Sequence, residues 1–467
     1  MLRAVQLIHR YLGIAGNALL LLWCASGFVM MYVAYPSLSE ARRQAGLQAL
    51  DLSALRAGPA LALPQTDEPC SVEMLDGQPV LRSFDPQSRV VSLGSGLPLT
   101  AVSRAQAARI ARSFPVPGRT ATPEFVDLVV RDQWTVAGRF NAERPYYLFA
   151  LGDPQNTHVY VSSVTGRLVQ ACDTRQRFWN WLGPIPHWLY LLELRQSPKL
   201  WRQVVIVTAL IGCFLTASGL YLGFQRLPWR KPRVGGRSQR LLHWHHVSGF
   251  FFGLFALTWV ATGLLSVQPW GLLYSSSPAL ASLGTPVSAT QLRRALGSFA
   301  PGRERAFVSL TIAPLGSELF LVASAANGQR ERFNALGQPA PLAAAEVDEL
   351  ARRLGSREPV QRLDGEDAYL FSHHDERVAL PAYRIQLPDA ERSYLYMDAV
   401  TGLREAQIDR GARTQRWVDG MHRCDLLPLL RTRPLWDLLM GLALTGVSAV
   451  SVTGALLAYR RLFVARP

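Results

Sequence analysis

At 467 residues, with 49% hydrophobic and only 18% charged side chains, the chain is lean in charge for a soluble protein of its size, and apolar surface is left over for lipid. A net charge of +15 would suit a nucleic-acid partner, but its distribution excludes that use. Eleven basic residues and no acidic ones sit in three short stretches: Arg3 and Arg10; Arg226, Arg230, Lys231, Arg233, Arg237 and Arg240; and Arg460, Arg461 and Arg466. The rest of the chain is close to neutral.

In chain order, the sequence divides into a first helix (1–35), an outer segment (36–200), a second helix (201–225), a basic loop (226–242), a third helix (243–268), a second outer segment (269–435) and a fourth helix with its tail (436–467). The apolar cores of the helices, 13–35, 204–224, 247–268 and 437–459, each suffice to cross roughly 30 Å of hydrocarbon. The first exceeds the roughly 7–15 residues of a signal-peptide core and reads as an uncleaved helix. The positive-inside rule puts both termini and the basic loop in the cytoplasm, so the two long segments lie outside. Cys70 and Cys172 share the first outer segment, where an oxidising compartment would permit a disulfide, a pairing the sequence leaves open.

The chain is a tandem duplication. Ile8-His9-Arg10-Tyr11-Leu12-Gly13 aligns without gaps to Trp244-His245-His246-Val247-Ser248-Gly249, and the register continues to pair Trp23 with Trp259 and Ser26-Gly27 with Thr262-Gly263. The same offset of 236 pairs Tyr160 with Tyr396, Thr165-Gly166 with Thr401-Gly402 and Trp181 with Trp417. After the loss of one residue, His187 meets His422, Trp201 meets Trp436 and Gly219 meets Gly454. Two helices per copy give both copies the same orientation, related by a pseudo-twofold axis along the membrane normal. In each outer segment, residues 101–113 and 343–354 read as helices. The alternating runs around Tyr147 and Tyr160, and around Tyr383 and Tyr396, read as antiparallel hairpins closed by Thr-Gly turns. The fold class expected is an integral membrane, all-α four-helix bundle from two tandem parallel repeats, with two outer α+β domains.

Nine histidines are present, and the duplication singles out four. His9 and His245 are equivalent at the cytoplasmic ends of helices one and three; His187 and His422 are equivalent on the outer side. A lone interfacial histidine is most simply a snorkelling polar tip. Two symmetric pairs, one at each face, instead suit two haems, because a low-spin haem iron takes one imidazole above and one below. Gly13 and Gly249, four residues after His9 and His245, share their helical face and leave room for a flat macrocycle. Gly27 and Gly263 fall near the outer pair, and Gly219 and Gly454 level with the inner pair; close helix packing accounts for these glycines equally well. His243 and His246 remain alternates to His245. His158, His373 and His374 have no counterparts and read as outer-domain residues, the last two in a solvated loop. Pro198 should break the chain between His187 and helix two, setting His187 on a short interfacial helix.

His-Arg-Tyr-Leu-Gly opening a helix that ends Ser-Gly, Val-Tyr-Val-Ser-Ser-Val-Thr-Gly-Arg closing an outer segment, and Trp-Leu-Gly-Pro-Ile-Pro-His before the next helix carry a resemblance over nearly the whole chain. The sequence resembles bacterial PepSY-associated transmembrane proteins, which include inner-membrane siderophore reductases. That resemblance implies an inner-membrane protein with periplasmic PepSY-like domains and, as in the reductase members, two b-type haems, for which His9, His187, His245 and His422 match the helix-flanking histidines. Residues 37–139 and 275–378 are long for the simplest pattern, which leaves the substrate open. The reading expected is an oxidoreductase that carries electrons across the membrane to a periplasmic acceptor, a ferric siderophore, with release of Fe(II). No dinucleotide fingerprint or P-loop occurs in a strand-to-helix context, so electrons come from a quinol or a separate cytoplasmic donor. The alternative is a haem-free scaffold that binds a peptide, protease or export partner.

Overall fold

A computed structural model describes residues 2–56, 68–83, 90–225, 237–273, 280–301, 306–372 and 377–464. Four of its helices are long and apolar enough to cross a membrane: Leu2–Met30, Pro198–Gln225, Arg237–Ser266 and Leu435–Tyr459. Each begins before the apolar core read from the sequence, whereas the first and third stop short of its far end, at Met30 and Ser266. Pro198 does interrupt the chain, and it does so as the first residue of the second membrane helix, where its missing N–H costs nothing.

The four helices close a ring in which the first and third each pack against the second and fourth. Glycines permit the close crossings: a Cβ on Gly212 would lie 2.8 Å from Val260, one on Gly253 2.8 Å from Leu220, and one on Gly446 would collide with the Phe252 ring. The duplication is repeated in the hydrogen bonds as well as in the residues. Trp201 Nε1 donates to the Trp188 carbonyl at 2.9 Å and Trp436 Nε1 to the Arg423 carbonyl at 2.7 Å. The Tyr160 hydroxyl donates to Asp132 at 2.5 Å, and the Tyr396 hydroxyl to Asp367 at 2.8 Å.

Between the helix pairs the chain builds three antiparallel sheets on one side of the bundle. Two are the expected hairpin regions, each enlarged to four strands: Glu124–Val129, Tyr146–Ala150, His158–Ser162, Leu168–Cys172, and Gln361–Leu363, Ala382–Gln386, Tyr394–Asp398, Arg404–Ile408. The helices Arg104–Ser113 and Ala344–Arg353 precede them as expected. Gly166 closes its turn with φ of 68°, a left-handed conformation that glycine adopts without strain. The third sheet was not legible from the sequence. It has six strands, three from each outer segment, joined where Cys70–Leu75 pairs with Phe307–Leu315. Val72 and Leu310, opposite one another across that junction, are both fully buried, so the two outer segments share one core. Cys70 belongs to this shared core while Cys172 belongs to a separate cluster with Trp134 and Tyr160. Both thiols are free and buried, which answers the pairing that the sequence left open.

A buried charge network locks the shared sheet to its neighbour. Glu73 takes Arg43 Nη2 at 2.6 Å and Arg82 Nε at 3.0 Å, and Arg82 Nη1 reaches the Thr165 carbonyl in the turn of the first four-stranded sheet at 2.9 Å. Burial pushes the Glu73 carboxyl up, but Arg43 and Arg82 outweigh it and hold the group down at about 2. With a usual value of 4.5 in the unfolded chain, the stabilisation is fully present above that pH and is lost as pH falls towards about 2. Glu73→Gln takes the carboxylate from the buried Arg82 guanidinium and leaves Arg43 with Glu40 alone, and should destabilise the sheet portion by about 3–5 kcal/mol. Thermal unfolding followed by circular dichroism should show this loss at neutral pH and a flatter acid limb than wild type; an unchanged acid limb would remove Glu73 as its source.

Candidate functional site

On the sheet side, each copy leads from its last strand into a helix capped by an aspartate. Asp173 accepts from Gln176 N at the start of Thr174–Leu182, and Asp409 accepts from Ala412 N at the start of Arg410–Arg423. In the first copy Gly183 interrupts the helix, and His187 sits on the following short turn, Pro184–Trp188. In the second copy the helix runs on unbroken, with His422 in its last turn. These short helices present large apolar side chains outward at the level where the membrane helices end, including the symmetry-related Trp181 and Trp417, 50% and 45% exposed. Interfacial tryptophans of this kind mark the lipid headgroup level.

The two histidines face one another with ring centroids 6.1 Å apart and planes at 73°. His187 Nδ1 meets the Ser26 hydroxyl at 3.0 Å and the backbone of Trp23. His422 Nδ1 meets the Thr262 hydroxyl at 3.0 Å and the Trp259 carbonyl at 3.1 Å. The next residue in each membrane helix is a glycine: a Cβ on Gly27 would lie 3.9 Å from His187 Cε1, and one on Gly263 3.6 Å from His422 Cε1.

On the side of the chain termini the same construction appears with the partners exchanged between helices. His9 and His245 have ring centroids 6.4 Å apart and planes at 47°. His9 Nδ1 meets the Leu215 carbonyl and the Ser218 hydroxyl, each at 3.1 Å. His245 Nδ1 meets the Val450 carbonyl at 3.2 Å and the Thr453 hydroxyl at 3.0 Å, the equivalent residues of the second copy. Gly219 and Gly454 face the imidazoles themselves: a Cβ on Gly219 would stand 2.8 Å from His9 Cε1, and one on Gly454 3.3 Å from His245 Cε1. His246 lies beside His245 with centroids 6.3 Å apart, and His243 meets Trp244 edge-on; His245 is the one that faces His9.

Around this second pair lies a cavity of about 410 Å³, lined by Gly13, Gly249, Gly219 and Gly454 among others. That is the size of a small-molecule site, and its glycines open the walls next to the imidazoles. Among the described residues no group of three or more histidine, cysteine, aspartate or glutamate side chains is placed to hold a metal ion. What the pairs do offer is two imidazoles each. A carbonyl oxygen only accepts, so each Nδ1 beside one carries the proton and leaves a lone pair on Nε2, the form a metal ligand needs. A metal–imidazole bond of about 2 Å on each side, added to the half-width of each ring, separates two ring centroids by about 6 Å. Both observed separations, 6.4 and 6.1 Å, fit an iron held between two imidazoles.

The structure thus brings His9 to His245 and His187 to His422, as the duplication predicts. His158 is elsewhere, on a strand between Ala150 and Cys172, and His373 and His374 lie outside the described residues. Missed in the sequence were the hydrogen-bond partners: Ser218 and Thr453 at one end, and the hydroxyls of Ser26 and Thr262 at the other. Their signal was present, since each pair of hydroxyl residues occupies equivalent positions in the two copies.

The family described as the PepSY-associated TM region matches residues 6–461. No curated protein matches the chain. The proton placement is open to direct measurement: ¹⁵N NMR of histidine-labelled protein should show the Nδ1-protonated form at His9, His245 and His422, assigned by single substitutions. Nε2-protonated spectra at these positions would contradict the hydrogen bonds described.

Proposed function

The chain belongs to the PepSY-associated TM family, and from that premise we propose that it is an inner-membrane electron-transfer protein holding two b-type haems, one at each membrane face, that reduces a periplasmic acceptor. The observation that carries this reading is the pair of symmetric imidazole sets, with centroids 6.4 and 6.1 Å apart and Nδ1 engaged throughout. Bound haem would supply reversible one-electron chemistry at each end of the span.

The chain's own groups do the rest. His9 and His245 would hold one haem, His187 and His422 the other. The hydroxyls of Ser218, Thr453, Ser26 and Thr262 and the carbonyls beside them fix ring orientation and keep each Nε2 unprotonated. Along the first membrane helix, Ser26 lies 17 residues beyond His9, about 25 Å at 1.5 Å per residue, so the two sites divide the thickness of the membrane. The basic termini and loop set the His9 and His245 pair at the cytoplasmic face and the sheets in the periplasm. Electrons then run from a quinol or a cytoplasmic donor to the sheet side. The acceptor class that suits this direction is a ferric siderophore: hard oxygen donors hold Fe(III) more tightly than Fe(II), so one electron per iron is enough to loosen it. A quinol gives up two electrons and two protons, enough for two such chelates.

Detergent-purified protein from haem-replete cells should show a Soret band that shifts on dithionite reduction, with two haems per chain. His9→Ala or His245→Ala should remove one haem, and His187→Ala or His422→Ala the other; colourless wild-type protein would favour the scaffold reading instead. Gly219→Ala, whose Cβ falls 2.8 Å from His9, should also lose the terminal-side haem. Gly263→Ala, at 3.6 Å from His422, makes an ordinary contact and should retain both haems. Fe(II) trapped from a ferric siderophore by a ferrous-specific chelator should appear with wild type and fall to background in each histidine variant.

A further inference from the structure

The cavity beside His9 and His245 is lined mostly by apolar residues, with Asn17, Thr216 and Ser451 interspersed, and carries two guanidinium groups, Arg10 and Arg461, together with the His246 ring; no aspartate or glutamate lines it. Two of these are placed by the duplication, since Arg10 and His246 are equivalent and each directly follows a histidine of the pair. Arg461 comes from a π-helical turn, Arg460–Val464, that extends the fourth membrane helix. Such turns are rare and cluster at functional sites. A glycine-walled, mostly apolar cavity with two guanidinium groups and no carboxylate in its lining suits a flat apolar molecule carrying carboxylates at one edge.

We infer that Arg10 and Arg461 are the carboxylate-binding residues of this cavity and anchor the two propionates of the haem held by His9 and His245, an inference that rests on the two-haem reading above. Two guanidinium groups against two carboxylates leave the mouth of the cavity neutral. Without them, a doubly charged edge would sit at the membrane boundary uncompensated, which is costly. Arginines in these places would receive the charged edge of the molecule and leave its apolar edge to the glycine-walled interior.

Full-length Arg10→Gln, Arg461→Gln and the double variant, purified in detergent, would be tested by haem transfer to excess apomyoglobin and by spectroelectrochemical titration. Apoprotein would be reloaded with haem or with its dimethyl ester, in which both propionates are capped. Loss of one charge-assisted pair should speed release of one haem by about tenfold, and the double variant should lose it faster still. The haem of His187 and His422 should keep its potential in every variant, which also shows that the fold is intact. Wild type should hold the dimethyl ester at this site no better than the double variant holds haem. Equal retention of haem and dimethyl ester by wild type, or full retention by the double variant, would overturn the inference. Wild type that binds no haem in either form would overturn the two-haem reading, and this one with it.

Discussion

A backbone carbonyl can accept a hydrogen bond but never donate one, and the candidate site turns on that asymmetry. At His9, His245 and His422 a carbonyl of a neighbouring helix stands 3.1–3.2 Å from Nδ1, which forces the proton there and frees Nε2. The carbonyl belongs to a helix other than the one bearing the histidine, so each imidazole is aimed only when two helices pack correctly. Hydroxyls on the same partner helices add a second bond from the next turn or so, through Ser218, Thr453, Ser26 and Thr262. Ring orientation is therefore a property of the bundle.

The bundle in turn depends on small residues. Where Gly212, Gly253 and Gly446 lie against Val260, Leu220 and Phe252, any side chain would drive the helices apart and carry the carbonyls out of reach of the imidazoles. Gly219 and Gly454 serve differently, giving space to the histidine rings themselves. Lipid supplies no hydrophobic drive between helices, so such close packing is the main source of cohesion within the membrane.

Outside the membrane, cohesion comes from ordinary hydrophobic burial, and it crosses the boundary between the two copies. The six-stranded sheet takes three strands from each outer segment, and the Glu73, Arg43 and Arg82 network ties it to the turn at Thr165. The last strand of each four-stranded sheet runs directly into an Asp-capped helix, which carries His422 itself in the second copy and leads through Gly183 to the turn that carries His187 in the first. The sheet core and the site on its side are thus one mechanical unit, and the outer histidines are held from above by the sheets and from the side by Ser26 and Thr262.

Much of this was legible in the sequence because duplication makes positions comparable within one chain. Four apolar runs, the basic stretches and an offset of 236 established the helices, the expected orientation and the pairing of His9 with His245 and His187 with His422. Periodicity located the hairpins and the helices before them. The shared sheet was hidden, since Cys70–Leu75 and Phe307–Leu315 are more than two hundred residues apart and their pairing leaves no local pattern. The fate of Cys70 and Cys172 was hidden for the same reason: it depends on which core each strand joins. Duplication favoured His245 over His243 and His246; that its ring is the one facing His9 depends on the rotation of the third helix, which packing against the second and fourth helices decides. Local composition and repeat register determined which residues are equivalent; only the tertiary structure decided which of them touch, because contact depends on how helices and strands from distant parts of the chain come together.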